Sequence, residues 1–538
     1  YRGLYRTVAN LPLNYFGNTN SLWHQKFLLL MLDCWRCILW ADNHNHIYSL
    51  WARATILETK IKTKEQIMTT ESSPNLTPIQ KLGEAIADRV ERWMPNPFVF
   101  AILLTYTAAL AAFILEGAGP QTIAIAWYDG FWGLLQFAMQ MVLILVTATV
   151  VAHHPYVKAF IYRLVSMPKN GKQAVVLVGL VSMLTGWISW GLGLIVGAIV
   201  AREMGVMAKR TGVVVHYPLL AVAGYMGMSL TWGWGLSSSA GLLQATPGNI
   251  FMEMGIVDRI VESTEWVFHP YPLMLTGMAL VYASVMLWLL TPPNQNSKGI
   301  EQYVDLSTEE APEEAATEET EEKSLAAART FADRVDNSRI LGGIIALTGV
   351  ILTLKAFYTD GLGALNLNVF NFGFLTIGML LFLSPSHYQA EFNRAVQGSA
   401  GVILQFPFYA GIIGIMTGTG LVDTLTAALL SIATPENFPV VAWMTAGVLN
   451  LFVPSAGGEW AIIGGPILMA AQELGIPLGQ AIVAYSVGDA HTNLLNPFWA
   501  IPLLAITGLR ARVMFGYAIT MMILLVPFIW LALYFLPY

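Results

Sequence analysis

Apolar runs of roughly 20 residues recur along the chain and alternate with short polar stretches, the pattern of helical membrane spans. Nine such runs cover residues 98–115, 131–151, 218–236, 271–290, 340–357, 369–383, 400–416, 481–504 and 513–536. Two more, residues 174–200 and 440–470, are long and interrupted by Gly, Ser and Pro. A polar stretch, residues 291–338, divides the chain. Its Glu309-Glu310, Glu313-Glu314 and Glu318-Glu319 pairs, set among Pro, Ala and Thr, predict a solvated cytoplasmic tether.

Lys and Arg orient the runs, because cytoplasmic loops carry the excess of both. Residues 68–97 hold Lys81, Arg89 and Arg92 and are placed inside. The next loop, 116–130, has neither residue type and is placed outside. Lys158, Arg163, Lys169 and Lys172 then precede the run 174–200, and Arg202, Lys209 and Arg210 follow it. Both of its ends belong inside, so this run is predicted to be a re-entrant hairpin turning near Trp187-Ile188-Ser189-Trp190-Gly191. Residues 418–480 contain no Lys, Arg or His. The run 440–470 lies within them and is predicted to be a second hairpin, entering from outside and turning at Pro454-Ser455-Ala456-Gly457-Gly458-Glu459. From Met68 onward this topology leaves Arg259 and Lys355 outside and 18 Lys and Arg inside. Lys355 sits at a span end, where its side chain reaches the interface.

The two halves also echo each other. Leu135-Gln136-Phe137 matches Leu404-Gln405-Phe406. Ser189-Trp190-Gly191 matches Ser455-Ala456-Gly457, and Pro218-Leu219 matches Pro477-Leu478. The offsets are 269, 266 and 259, in the same order along the chain. The predicted fold is therefore an all-α polytopic membrane protein with two inverted-topology repeats, about nine spans and two re-entrant hairpins. The first repeat covers 98–290. Residues 339–538 hold a linking span and the second repeat.

Hairpin tips at membrane depth expose backbone groups that must meet protein, water or ligand. A half-helix N-terminus there favours an anion. Ser189, Gly191 and Gly193 in one tip, and Ser455, Gly457 and Gly458 in the other, are candidate substrate contacts. Close glycine packing between helices is the alternative. Gln136 and Gln405 are candidate ligand or gate amides, or ties between helices. Thr231, Ser237, Thr246 and Asn249 lie in a Gly- and Pro-rich stretch that predicts a broken helix. Asn493 and Asn496 lie in its counterpart. Asp489 and Glu459 are the ionisable candidates for coupling to a cation, since intramembrane carboxylates default to function. Glu459 could instead cap a half-helix. His491 reads as a packing residue. Na⁺ near Ser189 and Ser455 is a further expectation.

Composition narrows the class. Of 538 residues, 55% are hydrophobic and 12% charged, with a mean hydropathy of +0.57. Soluble domains carry about 25% charge. Enzyme signals are weak. Gly235-Leu236-Ser237-Ser238 resembles the nucleophile stretch of intramembrane serine proteases. Ser486-Val487-Gly488-Asp489 is one glycine short of the intramembrane aspartyl pattern. A His-Glu-x-x-His zinc signature is absent, as is a phosphate loop. Residues 1–67 differ from the rest and hold Cys34 and Cys37, without a second cysteine pair to build a metal site. Translation is expected to begin at Met68.

From residue 86 to the C-terminus the chain resembles the short-chain fatty acid uptake permeases associated with acetoacetate degradation in bacteria. The resemblance rests on several motifs. They are Gly130-Phe131-Trp132 with Met139-Gln140-Met141, Trp190-Gly191-Leu192-Gly193-Leu194, Thr231-Trp232-Gly233 and Ala245-Thr246-Pro247-Gly248-Asn249 in the first half. In the second half they are Gln405-Phe406-Pro407-Phe408-Tyr409-Ala410-Gly411, Val453-Pro454-Ser455 with Gly457-Gly458, and Pro497-Phe498-Trp499-Ala500. The resemblance implies uptake of monocarboxylates such as acetoacetate or butyrate and membership of the wider hairpin-bearing ion-transporter group. The expected setting is the bacterial inner membrane, with the N-terminus cytoplasmic. The expected partners are a small carboxylate, a proton or Na⁺ and the lipid bilayer, with homo-oligomers allowed and nucleic acid not. No cofactor is expected. A Na⁺-coupled dicarboxylate carrier is the runner-up reading, and an intramembrane hydrolase the rival from another class.

Overall fold

Every regular element of the computed structural model is helical among the described residues, which are 97–304, 306 and 330–538 except 452 and 454. The expected start at Met68 and the Cys34–Cys37 pair lie outside them. The first half contains α1 (Pro97–Leu115), α2 (Pro120–Gly130), α3 (Leu135–His153), α4 (Pro155–Val165), α5 (Gly171–Ile188) and α6 (Trp190–Thr211). It continues with α7 (Tyr217–Met226), which runs on as a π-helical turn (Gly227–Thr231), and with α8 (Ser239–Gln244), α9 (Ile250–Glu253), α10 (Ser263–Trp266) and α11 (Pro270–Leu290). The second half contains α12 (Phe331–Asp336), α13 (Arg339–Asp360), α14 (Leu367–Phe382), α15 (Pro385–Val396), α16 (Ala400–Thr419) and α17 (Leu421–Leu430). It ends with α18 (Phe438–Asn450), α19 (Ala456–Glu473), α20 (Leu478–Thr492), α21 (Pro497–Thr507) and α22 (Ala511–Phe535). Seven helices among the described residues are long and apolar enough to cross a membrane.

Two of those seven, α5 and α6, are joined by a single-residue break and pack against each other. A Cβ placed on Gly193 would stand 2.4 Å from the Gly186 Cα. One on Gly197 would stand 2.8 Å from the Ser182 Oγ. Each pair lies symmetrically about the Ser189–Trp190 peptide, so the arms run antiparallel and touch along glycines. At the mouth, Gly171 abuts the Val214 carbonyl. Helix α7 then runs parallel to α5. The Ser182 hydroxyl donates to the Gly224 carbonyl at 2.6 Å and accepts from the Gly227 N–H at 2.9 Å.

The second half repeats the parallel pair. Asn450, on α18, donates to the Asp489 carbonyl at 2.7 Å and to Thr492 Oγ1 at 3.0 Å, both on α20. Gly488 is seated under the Trp443 carbonyl as Gly227 is seated under that of Ser182. The second hairpin is splayed, however. Its outgoing arm α19 leans on α16 and α17, with Gly458 against the Tyr409 ring and Gly465 against Val422. The glycines of α19 face those neighbours, so they are not free to zip it onto α18.

Three differences from the sequence pattern have local causes. The run 218–236 is not one helix. It passes through the π turn into an irregular stretch carrying Gly233 and Gly235, whose absent side chains admit the carbonyls of Ser486 and Trp187. The run 481–504 likewise breaks between α20 and α21, where Pro497 lacks the N–H to continue a helix. Helices α2, α4, α15 and α17, of 10–12 residues, were hidden because they are too short to register as spans. The start of the expected tether is also packed down. Ile300 is fully buried, the Lys298 carbonyl accepts from the Tyr217 N–H at 2.8 Å, and the Lys298 N–H donates to His216 Nδ1 at 3.2 Å. Burial pushes the His216 imidazole down to about 4, so it stays neutral there.

The loops sort into two ends. The first hairpin's mouth, the Lys298 segment and residues 506–508 meet through Tyr217, whose hydroxyl donates to the Thr507 carbonyl at 2.7 Å, and through Arg202, which donates to the Ile506 carbonyl at 2.6 Å. Lys172, Lys209, Arg210 and Arg510 lie at the adjoining helix termini. Tyr538 and Gly479 meet the Glu265 carbonyl elsewhere, and Ser263 donates to the Leu362 carbonyl. There Arg259 is bound bidentately by Glu265, which holds the guanidinium above its usual range. Cysteines placed at Lys172 and Arg210 should therefore label from one side of the membrane, and cysteines at Glu436 and Glu473 from the other. Opposite labelling within either pair would dismiss that hairpin.

Candidate functional site

The first tip is short because Ser189 takes extended backbone angles (φ −153°, ψ 127°) between α5 and α6. Its carbonyl accepts from the Gly193 N–H at 2.8 Å, and the Trp190 N–H donates to the Ser237 Oγ at 2.8 Å. The Ser189 side chain does not cap α6. Its hydroxyl is fully buried without a hydrogen-bond partner. Three indole N–H groups nearby in sequence and packing, those of Trp187, Trp190 and Trp232, are also buried and unpartnered. The Trp190 ring lies 6.5 Å from that of Trp232 and 5.6 Å from that of Trp499. Thr231, at the end of the π turn, is engaged instead by the Met183 carbonyl at 2.6 Å.

The second tip differs. The Ser455 hydroxyl accepts from the Gly458 N–H at 3.3 Å, a conventional N-cap. Gly457 is covered by the Phe137 and Phe406 rings, and Gly458 by Tyr409. Phe137 and Phe406 are the residues matched between the two halves, and their rings meet at 5.6 Å. The first turn of α19 carries Glu459, wholly buried, with neither carboxyl oxygen hydrogen-bonded. Asp489 on α20, 2% exposed, faces it, with Tyr485 alongside. The Tyr485 hydroxyl donates to the Ala456 carbonyl at 3.0 Å, and its ring packs on Trp460 at 4.6 Å. Ser238 and Ser486 lie 3.5 Å apart between the start of α8 and α20.

Other candidates hold the scaffold. Gly193 lies against Gly186, and Gly191 against Ala148. Both are packing glycines. Asn493 donates to the Met228 carbonyl at 3.0 Å and accepts from Asn450 at 3.0 Å, while Asn496 donates to the Asn450 carbonyl at 3.3 Å. Thr246 donates to the Leu242 carbonyl and accepts from the Leu367 N–H, and Asn249 caps α9. Gln405 accepts from the Tyr409 hydroxyl at 3.0 Å. Gln136 is exposed at the start of α3. The buried amide of that helix is Gln140, which donates to Asn368 at 2.7 Å. His491 is engaged at the Met522 carbonyl and packs on Trp443, as a packing residue should. No group of three or more His, Cys, Asp or Glu among the described residues is placed to hold a metal ion. The sequence reading missed the indole donors, Tyr485 and Asn450. The Trp density around Ser189 and a lone Asn in an apolar run were the available signals.

Two solved transporters share the architecture. The Neisseria gonorrhoeae MtrF structure, from a class of antimetabolite efflux pumps, aligns at a TM-score of 0.50 and 14% identity, covering 83% of this chain and 97% of that one. The Alcanivorax borkumensis YdaH transporter aligns at 0.51 and 15%, covering 82% and 96%. At that identity the likeness concerns the fold alone. Closer relatives come from sequence. A Haemophilus influenzae protein named for short-chain fatty acid transport is 33% identical over 462 residues, covering 85% of this chain and all of its own. A similarly named protein of Escherichia coli K12 is 34% identical over 442 residues, covering 82% of this chain and 96% of its own. The short chain fatty acid transporter family model matches residues 78–536. The chain is a multi-pass membrane transporter and belongs to the short-chain fatty acid transporter family.

Proposed function

We propose that the protein takes up short monocarboxylic acids across the bacterial inner membrane together with a cation, holding the carboxylate at the first hairpin tip. One observation carries this reading: a fully buried hydroxyl and three buried indole N–H groups without partners, gathered by sequence and ring packing about an uncapped helix N-terminus. Buried donors are rarely left unpaired. Indole N–H groups only donate, so the missing partner is an acceptor. A carboxylate suits it, because helix N-termini favour negative charge. The dicarboxylate reading fares worse. The second tip is capped by its own serine and carries Glu459, which repels a second carboxylate. With its Ser455 hydroxyl already engaged, that tip also suits Na⁺ less well than the sequence pattern implied.

The matched parallel helix pairs and the Phe137–Phe406 contact support an inverted repeat, the common build of carriers with a midplane site. The loop charges support placing the first hairpin's mouth, and with it the N-terminal segment, in the cytoplasm. A cation is needed energetically. A lone anion entering against an inside-negative potential costs about 2.3 kcal/mol per 100 mV. Radiolabelled butyrate in proteoliposomes tests the reading. Saturable uptake of unchanged butyrate above protein-free vesicles is expected. Uptake equal to that of protein-free vesicles would refute it.

A further inference from the structure

Glu459 and Asp489 lie on different helices, yet their carboxyl groups face each other in the interior. Glu459 is wholly buried and Asp489 is 2% exposed. Both Glu459 oxygens lack hydrogen-bond partners, although each has two lone pairs to satisfy. The elements packed on the pair bring no positive charge to it. Helices α8, α16, α17, α18, α19 and α20 contain no Lys or Arg. Tyr409 on α16 turns its hydroxyl to Gln405. Asp423 on α17 is exposed, and Glu473 closes the far end of α19. Glu265 on α10 is paired with Arg259, and His491 on α20 is held at Met522 of α22. Arg512 of α22 lies in its first turn, at the opposite end from Tyr538. Tyr485 stands beside the pair, and its proton is given to the Ala456 carbonyl.

Two facing carboxylates with no counter-charge, sealed from water, cannot both remain ionised. We propose that Glu459 and Asp489 form one proton-binding site, a carboxyl pair that shares a proton and carries it with the acid. The proposal rests on the carrier reading above. The step is simple: a proton adds to one carboxylate, giving a carboxylic acid whose O–H donates to the other carboxylate. Release to the opposite side restores two acceptors, and their repulsion drives the helices to rearrange or take up the next proton. A proton needs only the two facing oxygens, whereas hard cations such as Ca²⁺ and Mg²⁺ gather about six or more. The neighbouring surface is the Trp460 ring, packed at a tilt against Tyr485.

The site lies on the splayed hairpin. Glu459 rides on α19, which leans away from its own partner arm, while Asp489 belongs to the α18–α20 pair tied by Asn450. A relative movement of α19 against α20 would separate the two carboxyl groups. That couples the proton to the hairpin's position.

The test uses purified protein in proteoliposomes with labelled butyrate. Because butyric acid crosses lipid unaided, initial rates above protein-free vesicles are measured. With one pH unit imposed, acid outside, wild-type entry should rise by up to about tenfold, the factor by which one unit changes proton activity. Glu459→Gln and Asp489→Asn should each lose that stimulation while still exchanging labelled for unlabelled butyrate. The conservative Asp489→Glu should recover part of it. Infrared difference spectra of the wild type across the pH range should show a protonated-carboxyl band that both variants lack, a readout independent of transport. Wild-type uptake that responds to a Na⁺ gradient and not to pH overturns the proton site and leaves the carrier intact. Full pH stimulation in both variants also overturns it. Wild-type protein with no uptake at all, but with the carboxyl band, would sink the carrier reading instead. If both variants fail to fold, the wild-type band and its absence or presence decide.

Discussion

Replacing Ser189 with alanine should raise the butyrate concentration for half-maximal uptake by about ten- to a hundredfold. A hydrogen bond to a charged partner is worth roughly 1.5–3 kcal/mol, and each 1.4 kcal/mol is a factor of ten. The Ser189 hydroxyl is buried and has nothing else to bind, so its partner is the acid or it has none. Trp190→Phe and Trp232→Phe each remove one N–H, so a shift in the same direction is expected, accompanied by some loss of stability because a smaller ring fills a buried site. Ser455→Ala gives the contrast. Its hydroxyl is already committed to the Gly458 N–H, and losing such a cap costs about 1 kcal/mol of stability. Its effect on half-saturation should be smaller than that of Ser189→Ala. The measurement is the concentration dependence of initial uptake. Unchanged half-saturation in Ser189→Ala, Trp190→Phe and Trp232→Phe together would remove the first tip from the substrate path.

The contrast between the tips was not legible in the chain. Ser189-Trp190-Gly191 and Ser455-Ala456-Gly457 read as equivalents, because composition reports which residues stand at a break and not what their side chains meet. Ser237 reaches the Trp190 N–H from 47 residues away, and the Ser189 hydroxyl makes no cap of its own. Ser455 bonds its own helix. Similarly, Gln136 and Gln405 match in sequence, but one begins a helix at the surface and the other lies against Tyr409. Charge placement was more informative. Lys and Arg on both sides of 174–200 predicted a turn within that run, and α5 and α6 meet as antiparallel arms about it. That signal works because desolvating a charge is so costly that few loops can ignore it. Glu459 and Asp489 were visible singly as intramembrane carboxyls. Their pairing was not, since it depends on the lean of α19, which the packing of its glycines against Tyr409, Phe251 and Val422 sets.

The same packing logic makes Gly197→Val the substitution with the largest expected cost to the fold. A Cβ on Gly197 would stand 2.0 Å from the Gly224 carbonyl oxygen and 2.8 Å from the Ser182 Oγ. The nearest obstacle is backbone, and it cannot rotate aside. Gly224 offers no relief, because its own Cβ direction meets the Gly197 carbonyl at 2.4 Å. Helix α7 would have to move off α6. That movement would stretch the Ser182 bonds to the Gly224 carbonyl and the Gly227 N–H, which tie α5 to α7. Overpacking of this kind costs about 1–3 kcal/mol, and each buried group left unpaired about 1–3 more. With two such groups the sum, roughly 3–9 kcal/mol, is a large share of the 5–15 kcal/mol that holds a typical protein folded. Gly277→Ala is the control, since nothing stands within 4 Å of that position and alanine favours a helix. Thermal unfolding in detergent should show Gly277→Ala at or slightly above the wild type, with Gly197→Val sharply lowered or not recoverable as a monodisperse species. A wild-type melting point for Gly197→Val would mean that α6 and α7 are not in contact there, and the closed form of the first hairpin would have to be abandoned.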